Sequence, residues 1–75
     1  MLLLFEKGDK IIFDGHKREC LCADEDTAVF GLILDHYYIG DEKVENEGKT
    51  TYYGHLIALP NQEEFEENIE YTKID

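Results

Sequence analysis

The residues best suited to chemistry in this sequence are two cysteines and three histidines. Cys20 and Cys22 follow His16 closely, and His36 or His55 would be needed as a fourth ligand. Zinc prefers thiolate and imidazole ligands, and on a straight strand His16, Cys20 and Cys22 would share one face. Structural zinc sites, however, more often take cysteine pairs from turns. We therefore favour the alternative, in which both cysteines are reduced core or half-buried residues, and expect no metal and no cofactor.

Catalytic residues are also hard to assemble from this sequence. It contains no serine, which excludes every serine-based triad. Neither thiol is next to a predicted helix N-terminus or an orienting group that would activate it. Carboxylates are abundant, but they occur in runs such as residues 24–26 and 63–67, which are typical of solvated surfaces, and no glycine-rich phosphate loop is present. We expect a protein that is not an enzyme.

The charge is strongly negative and unevenly distributed. Eighteen acidic and 7 basic side chains give a formal net charge of -11 in 75 residues. Residues 1–22 are neutral, whereas residues 23–50 carry eight acids and two lysines, and residues 61–75 carry six acids and one lysine. Direct nucleic-acid binding is disfavoured, because phosphate contacts need clustered Lys and Arg. A protein partner with a basic surface is favoured, with electrostatic steering that weakens in salt.

Two acidic segments and two tyrosine pairs are the candidate partner-binding residues. Tyrosine offers a large contact area and a polar tip, and neighbours in a strand point to opposite faces, so one member of each pair should be exposed. A cross-strand aromatic pair that stabilises a hairpin between residues 27–39 and 50–59 is the simpler interpretation, although a tyrosine at the rim can do both. The candidates are Asp41, Glu42, Glu45, Glu47, Glu63, Glu64, Glu66, Glu67, Tyr37, Tyr38, Tyr52 and Tyr53.

Short strands joined by turns must position these residues. Asp14-Gly15 is the strongest hairpin signal, because a tight turn there needs positive φ. Gly31 and Gly54 lie within strand-like sequence, and Gly31 in particular is a candidate bulge or close backbone approach. Residues rich in β-branched and aromatic types predict strands over residues 2–6, 10–13, 16–22, 27–34 and 51–59.

The remaining segments are less regular. Residues 36–39 are expected to extend the strand before them, and residues 41–49 to form a charged, mobile hairpin loop. Asn61 is a predicted N-cap, with Glu64 completing a capping box. A short helix near residues 62–68 should follow, and then an extended tail that closes the domain.

Together these elements predict one mainly β domain over residues 1–75. We expect about five antiparallel strands in a small barrel or curled sheet, with one short C-terminal helix. Residues 7–15 (KGDKIIFDG) resemble the first turn and strand of small Src-homology-3-like barrels of the Tudor and KOW type. The resemblance implies a barrel architecture and carries over no functional residue.

The apolar N-terminus raises separate questions of location and assembly. Residues 1–5 are too short for a signal sequence or a membrane span, so a cytoplasmic location is expected. An apolar edge strand must be covered, and pairing with a second copy would give a homodimer. Packing into the chain's own core is the alternative.

The favoured function is an acidic inhibitor or adaptor that blocks a basic groove on a partner, as a DNA mimic would. In size and charge the chain resembles small acidic inhibitors of nucleic-acid enzymes that phages and other mobile elements carry. The alternative is a module, acting as a single chain or as an oligomer, that sequesters a small molecule or nucleotide with Tyr, His and Arg18. A structural accessory subunit is a third interpretation.

Overall fold

The computed structural model describes residues 3–74, which form one sheet of six antiparallel strands in the order β4-β5-β3-β2-β1-β6. This confirms the predicted fold class, with six strands instead of about five. The strands are β1 (Lys10–Phe13), β2 (His16–Ala23), β3 (Thr27–Leu34), β4 (Glu42–Asn46), β5 (Lys49–Pro60) and β6 (Tyr71–Ile74).

The strongest local signals produce the predicted elements. The first hairpin turns at Asp14 (φ 54°) and Gly15 (φ 77°), the pair of positive angles that a tight primed turn requires. β3 occupies the predicted residues and is an inner strand, paired with β2 on one side and β5 on the other. The most hydrophobic strand of the chain therefore lies inside the sheet.

Two predictions about the middle of the chain are wrong. Residues 41–49 are not a loop, because they contain β4, which pairs with the first half of β5. The turn between these strands has positive φ at Glu47 (52°) and Gly48 (79°). Residues 36–39 do not extend β3, which ends at Leu34. They form part of the connection to β4 instead.

The N-terminal segment also differs from its prediction. Among residues 3–6, only Leu3 makes a β-bridge, which is an isolated one to Gln62, so these residues do not form a strand. Leu2, the first residue of the predicted strand, lies outside the described part of the chain. Leu4 and Phe5 are buried in the chain's own core. The alternative in which these residues pack internally is therefore confirmed for Leu4 and Phe5.

Phe5 is at the centre of the core and shows how strongly the sheet curves. Its ring packs edge-on against Phe30 of β3 at 4.9 Å and against Tyr71 of β6 at 5.1 Å, between ring centroids. Three strand spacings separate β3 from β6 in the sheet, about 14 Å at about 4.8 Å each. One ring can contact both strands only because the sheet curls around it.

Two β-bulges change which face each strand presents. In β2, Cys20 pairs with Phe30 and Cys22 with Val29, so one extra residue, Leu21, lies between them. Consequently Cys20 is buried and Cys22 is exposed. The prediction that the two thiols share one face is wrong, because the bulge reverses the alternation.

The second bulge lies in β5, opposite Gly31. Phe30 pairs with Ile57 and Leu32 with Gly54, so His55 and Leu56 face a single residue of β3. His55 has φ 48°, which absorbs the extra residue. A Cβ atom on Gly31 would lie 2.7 Å from Cβ of Tyr53, which confirms the predicted close approach at this glycine.

The C-terminal part has the predicted order of a helical turn and an extended tail. The helix is a 3₁₀ helix, Glu63–Asn68, and β6 follows it. The prediction that Asn61 caps this helix is wrong. Its side chain is buried and forms hydrogen bonds with the backbone of Phe5 and Asp24. No helix within residues 3–74 has the length and apolarity to cross a membrane.

Candidate partner-binding site

Four of the candidate acids lie together on the β4 hairpin. Asp41, Glu42, Glu45 and Glu47 form what we call the β4 acidic surface, and all but Asp41 are exposed. The loop before it is fixed by two hydrogen bonds: the Tyr38 N–H donates to the Asp41 carboxylate (3.0 Å), and the Asp41 N–H donates to the Tyr38 carbonyl (3.0 Å). This turn presents Tyr38 and Ile39, which are 61% and fully exposed.

Tyr37 and Tyr52 form an aromatic contact beside this surface. Their ring centroids are 5.4 Å apart and the rings are tilted by 40°. The contact joins the loop to β5, so it is not the pair between two strands that the sequence predicts. Tyr52 is half-buried and Tyr37 remains more than half exposed. Tyr37 can therefore still contribute to a binding surface.

Tyr53 points to the opposite face of β5 from Tyr52 and is only 2% exposed. Its ring crosses Gly31 in β3, and its hydroxyl donates a hydrogen bond to Glu19 Oε2 in β2 at 2.8 Å. Burial and this bond raise the pKa of Tyr53 to about 12, so the phenol remains a donor throughout the physiological range. Of the four candidate tyrosines, Tyr53 is the buried one, and it positions Glu19 through this hydrogen bond.

The other four candidate acids form a separate helix acidic surface on the 3₁₀ helix. Glu63, Glu64, Glu66 and Glu67 are all exposed, and no basic residue occurs in the last turn of the helix. The structure places them on a different element from the β4 acidic surface. The helix follows the C-terminal end of β5, whereas β4 pairs with residues 49–53 in the N-terminal half of β5.

Few of these carboxylates are neutralised within the chain. Among residues 3–74, the ion pairs are Lys43 with Glu45 (3.7 Å) and Lys73 with Asp9 (3.3 Å). Both pairs are at the surface, where such contacts contribute little. In the described part of the chain, seven of the eight candidate acids therefore have no cationic partner.

A groove of about 680 Å³ lies on the outer face of the sheet, between β2, β3, β5 and β4. Glu42 and Val44 are two residues apart in β4 and therefore point to the same face, and Glu42 lies opposite Tyr53 of β5. Glu42, Val44 and Tyr53 all line the groove. The groove is also lined by Leu21, Val29, Leu56, Glu19, Glu45, Asn46, Cys22 and the loop residues Lys7 and Gly8. Its apolar floor has carboxylates at its rim.

The residues considered for metal binding are not assembled. Both thiols are free, and no three His, Cys, Asp or Glu residues of the described chain are grouped as metal ligands would be. Burial, with a smaller effect of Asp9, raises the pKa of Cys20 to about 11. Arg18 is buried, donates to the His55 carbonyl (3.2 Å) and lies over the Phe13 ring. It does not face the groove.

The raised pKa values predict a loss of stability at alkaline pH. The folded-state pKa of Cys20 is about 11 against an ordinary 9.0, and that of Tyr53 is about 12 against 10.0. Both groups hold their proton more tightly when folded, so they stabilise the fold fully below pH 9 and progressively less between pH 9 and 12. Urea denaturation followed by circular dichroism should show the midpoint falling over this range.

Tyr53→Phe is the control for this pH dependence. The variant lacks the phenol, so its midpoint should fall less steeply between pH 10 and 12 than that of the wild type. A wild-type midpoint that stays constant from pH 8 to 11 would contradict the prediction.

Comparison with protein-family models, with curated proteins and with solved structures found no match for this chain. Its function must therefore be inferred from its own residues.

The groove is the feature that the sequence did not reveal. Its residues come from four strands and one loop, and the bulges at Leu21 and His55 determine which of them face outward. The local sign of the groove in the sequence was Leu56, an apolar residue in a strand segment where apolar and polar residues do not alternate regularly. The acids and tyrosines themselves could be found from composition alone.

Proposed function

We propose that this chain is a non-enzymatic protein-binding module, an acidic inhibitor or adaptor that occupies a basic groove on a partner protein. The observation that carries the proposal is the number of exposed carboxylates that have no cation beside them in the described part of the chain. Repulsion among such carboxylates is relieved when a basic surface docks on them. Complementary charge also accelerates association, in a manner that salt suppresses.

The exposed aromatic loop supports a protein as the partner. Tyr38 and Ile39 stand beside the β4 acidic surface on a turn that hydrogen bonds hold in place. Aromatic residues at the centre of an interface commonly supply much of its binding energy, and a preformed loop loses little entropy on binding. The acids provide the steering and the loop provides an apolar contact.

The two acidic surfaces support a DNA-like display of charge. Each carries four carboxylates, and they lie on different elements of the fold. A basic groove that holds the phosphates of duplex DNA could be occupied by such carboxylates instead. Displacement by duplex DNA is the signature of this mode.

The proposal is tested by neutralising each acidic surface. One variant changes Glu63, Glu64, Glu66 and Glu67 to Gln, and another changes Asp41 to Asn and Glu42, Glu45 and Glu47 to Gln. Each moves the net charge from -11 to -7. With a purified basic partner at about 0.1 M salt, each should bind about tenfold or more weakly, since the exposed carboxylates of each surface can each form an ion pair worth up to about 1 kcal/mol.

The matched control spreads the same change over the remaining surface. Glu6→Gln, Asp14→Asn, Glu25→Gln and Glu70→Gln together also give a net charge of -7. This variant should bind within about threefold of the wild type. An equal loss in all three variants would show that only net charge matters, and binding that is indifferent to salt would show that charge does not direct the interaction.

The groove favours a second candidate function, a module that binds a small molecule. A volume of about 680 Å³ is within the range of about 300–1,000 Å³ for ligand pockets. The carboxylates of Glu19, Glu42 and Glu45 oppose a nucleotide and favour a cationic ligand. Native mass spectrometry should show a ligand-free chain if the protein-binding proposal is correct, and a co-purified small molecule if the second candidate is.

A further inference from the structure

We propose that the groove on the outer face of the sheet receives an extended segment of the partner protein, in which aliphatic side chains alternate with Lys or Arg. This inference rests on the proposed protein-binding function and specifies what the partner inserts. The negative charge of the chain alone does not call for a segment of this composition. The groove favours it because the groove combines an apolar floor with an acidic rim.

The floor of the groove is apolar and accessible. Leu56 is 50% exposed, and Leu21, Val29 and Val44 are each half-buried. Leu56 faces outward because the bulge at His55 places an extra residue in β5. Aliphatic side chains of an incoming segment would remove these residues from water, at about 25 cal/mol per Å² of apolar surface buried.

The rim of the groove is acidic at fixed positions. Glu19 is held by the hydroxyl of Tyr53, and Glu42 lies opposite Tyr53 on β4. Glu45 adds a third carboxylate, which makes an exposed ion pair with Lys43 of 3.7 Å, and Lys7 is the one cation among the residues that line the groove. Lys and Arg side chains have apolar stems and charged tips, so they can cover the floor while their charge reaches this rim.

The shape of the groove fits an extended chain. Its lining residues come from the neighbouring strands β2, β3, β5 and β4, and β4 has no strand partner on its outer side within residues 3–74. An extended segment presents alternate side chains to opposite sides, which matches a floor on one side and carboxylates above it. The volume holds a few side chains, so the occupant is a short segment and not a domain.

Charge disfavours a second copy of the chain as the occupant of this groove. A second copy would bring another body of net charge -11 against the three carboxylates of the rim. Like charges placed face to face across an interface are unfavourable. A cationic segment is therefore favoured beside Glu19, Glu42 and Glu45.

Cys22 provides a probe of this groove in the unmodified protein. Both cysteines line the groove, but Cys22 is exposed, whereas Cys20 is only 1% exposed and its raised pKa keeps it a neutral thiol. Alkylation by iodoacetamide should therefore take place at Cys22. The probe ligand is an acetylated, amidated peptide of sequence Lys-Val-Lys-Leu-Lys-Val-Lys, and the readout is the rate of alkylation measured by mass spectrometry.

Binding of the peptide should slow alkylation of Cys22 at least about fivefold at saturation. Two peptides of equal length act as controls, one of seven lysines and one with every Lys replaced by Gln. The first lacks the aliphatic side chains and the second lacks the charge, so both should protect Cys22 less than twofold. Equal protection by the seven-lysine peptide would overturn the inference.

Two matched pairs of substitutions locate the binding site. Glu42→Gln with Glu45→Gln should weaken peptide binding about tenfold, since each exposed ion pair contributes up to about 1 kcal/mol, or roughly fivefold in affinity. Glu25→Gln with Glu70→Gln makes the same change in charge at exposed positions outside the groove and outside both acidic surfaces, and it should weaken binding less than twofold. Leu56→Ser should weaken binding without changing the charge.

The outcomes separate this inference from the proposed function. Equal losses in the two pairs, or no protection of Cys22, would overturn the groove as a peptide site. Protection by arginine ethyl ester as complete as that by the peptide would also overturn it and would assign the groove to small cations. If a basic partner still binds in a salt-dependent way under any of these results, the proposed function stands without the groove.

Discussion

Replacing Phe5 with Ala is expected to lower the free energy of unfolding by about 3–5 kcal/mol, the usual loss for a buried phenylalanine. Phe5 is completely buried and packs edge-on against Phe30 and Tyr71, which belong to strands on different parts of the curled sheet. A domain of 75 residues has a total stability of about 4–11 kcal/mol. The loss of one ring should therefore leave the variant barely folded.

Urea denaturation followed by far-ultraviolet circular dichroism measures this effect. The chain has no Trp, so tyrosine fluorescence serves as the second probe of the same transition. Leu3→Ala is the control, since Leu3 is two residues away but 47% exposed, and it should change stability by less than about 1 kcal/mol. Equal effects of the two substitutions would show that the core is not centred on Phe5.

The fold class could be predicted because the strongest signals in the chain are local. The apolar, β-branched-rich run of residues 27–34 and the Asp14-Gly15 turn each specify their structure within a few residues. The curled sheet is then a consequence of short antiparallel strands that must share one small core.

The strand β4 could not be predicted from its own residues. Four of its five residues are charged or polar, and only Val44 is apolar. It forms because β3 occupies only one edge of β5, and β4 pairs with residues 49–53 on the other edge. The Glu47-Gly48 turn lacks the Asn or Asp that usually marks a primed turn, so this hairpin had no clear signal.

The bulges explain why the residues of the candidate site were found but their arrangement was not. Composition identifies the acids and tyrosines. It cannot show that Tyr53 points toward Glu19 or that Cys22 faces the groove, because one extra residue in a strand reverses every later side chain. The bulges at Leu21 and His55 depend on how β2 and β5 fit against β3, which is a property of the assembled sheet.

Asn61 shows how a correct local pattern can serve a different purpose. Its position before an acidic segment is typical of a helix cap, but the 3₁₀ helix begins at Glu63 without a side-chain cap. The Asn61 side chain instead accepts the Phe5 N–H (2.7 Å) and donates to the carbonyls of Phe5 (3.2 Å) and Asp24 (2.8 Å). It thus joins the N-terminal segment, the loop after β2 and the end of β5.

Asn61→Ala is accordingly expected to destabilise the fold by about 3–5 kcal/mol, since it leaves three backbone groups without their partner at about 1–3 kcal/mol for each one that stays buried. Urea denaturation measures the loss. Gln62→Ala is the neighbouring control, because the Gln62 side chain makes only a long contact of 3.5 Å with Asp26. It should change stability by less than about 1 kcal/mol.

Asn61→Asp distinguishes lost hydrogen bonds from lost packing, because the two side chains have nearly the same shape. The new carboxylate could still accept the Phe5 N–H, but it would also face the two carbonyl oxygens that Asn61 Nδ2 now satisfies. Burial and these oxygens would raise its pKa in the folded state above that in the unfolded chain. The variant should therefore be closest to the wild type near pH 4 and fall further below it as pH rises to 7. A constant difference between variant and wild type over this range would show that Asn61 stabilises the fold by packing, and that its three hydrogen bonds contribute little.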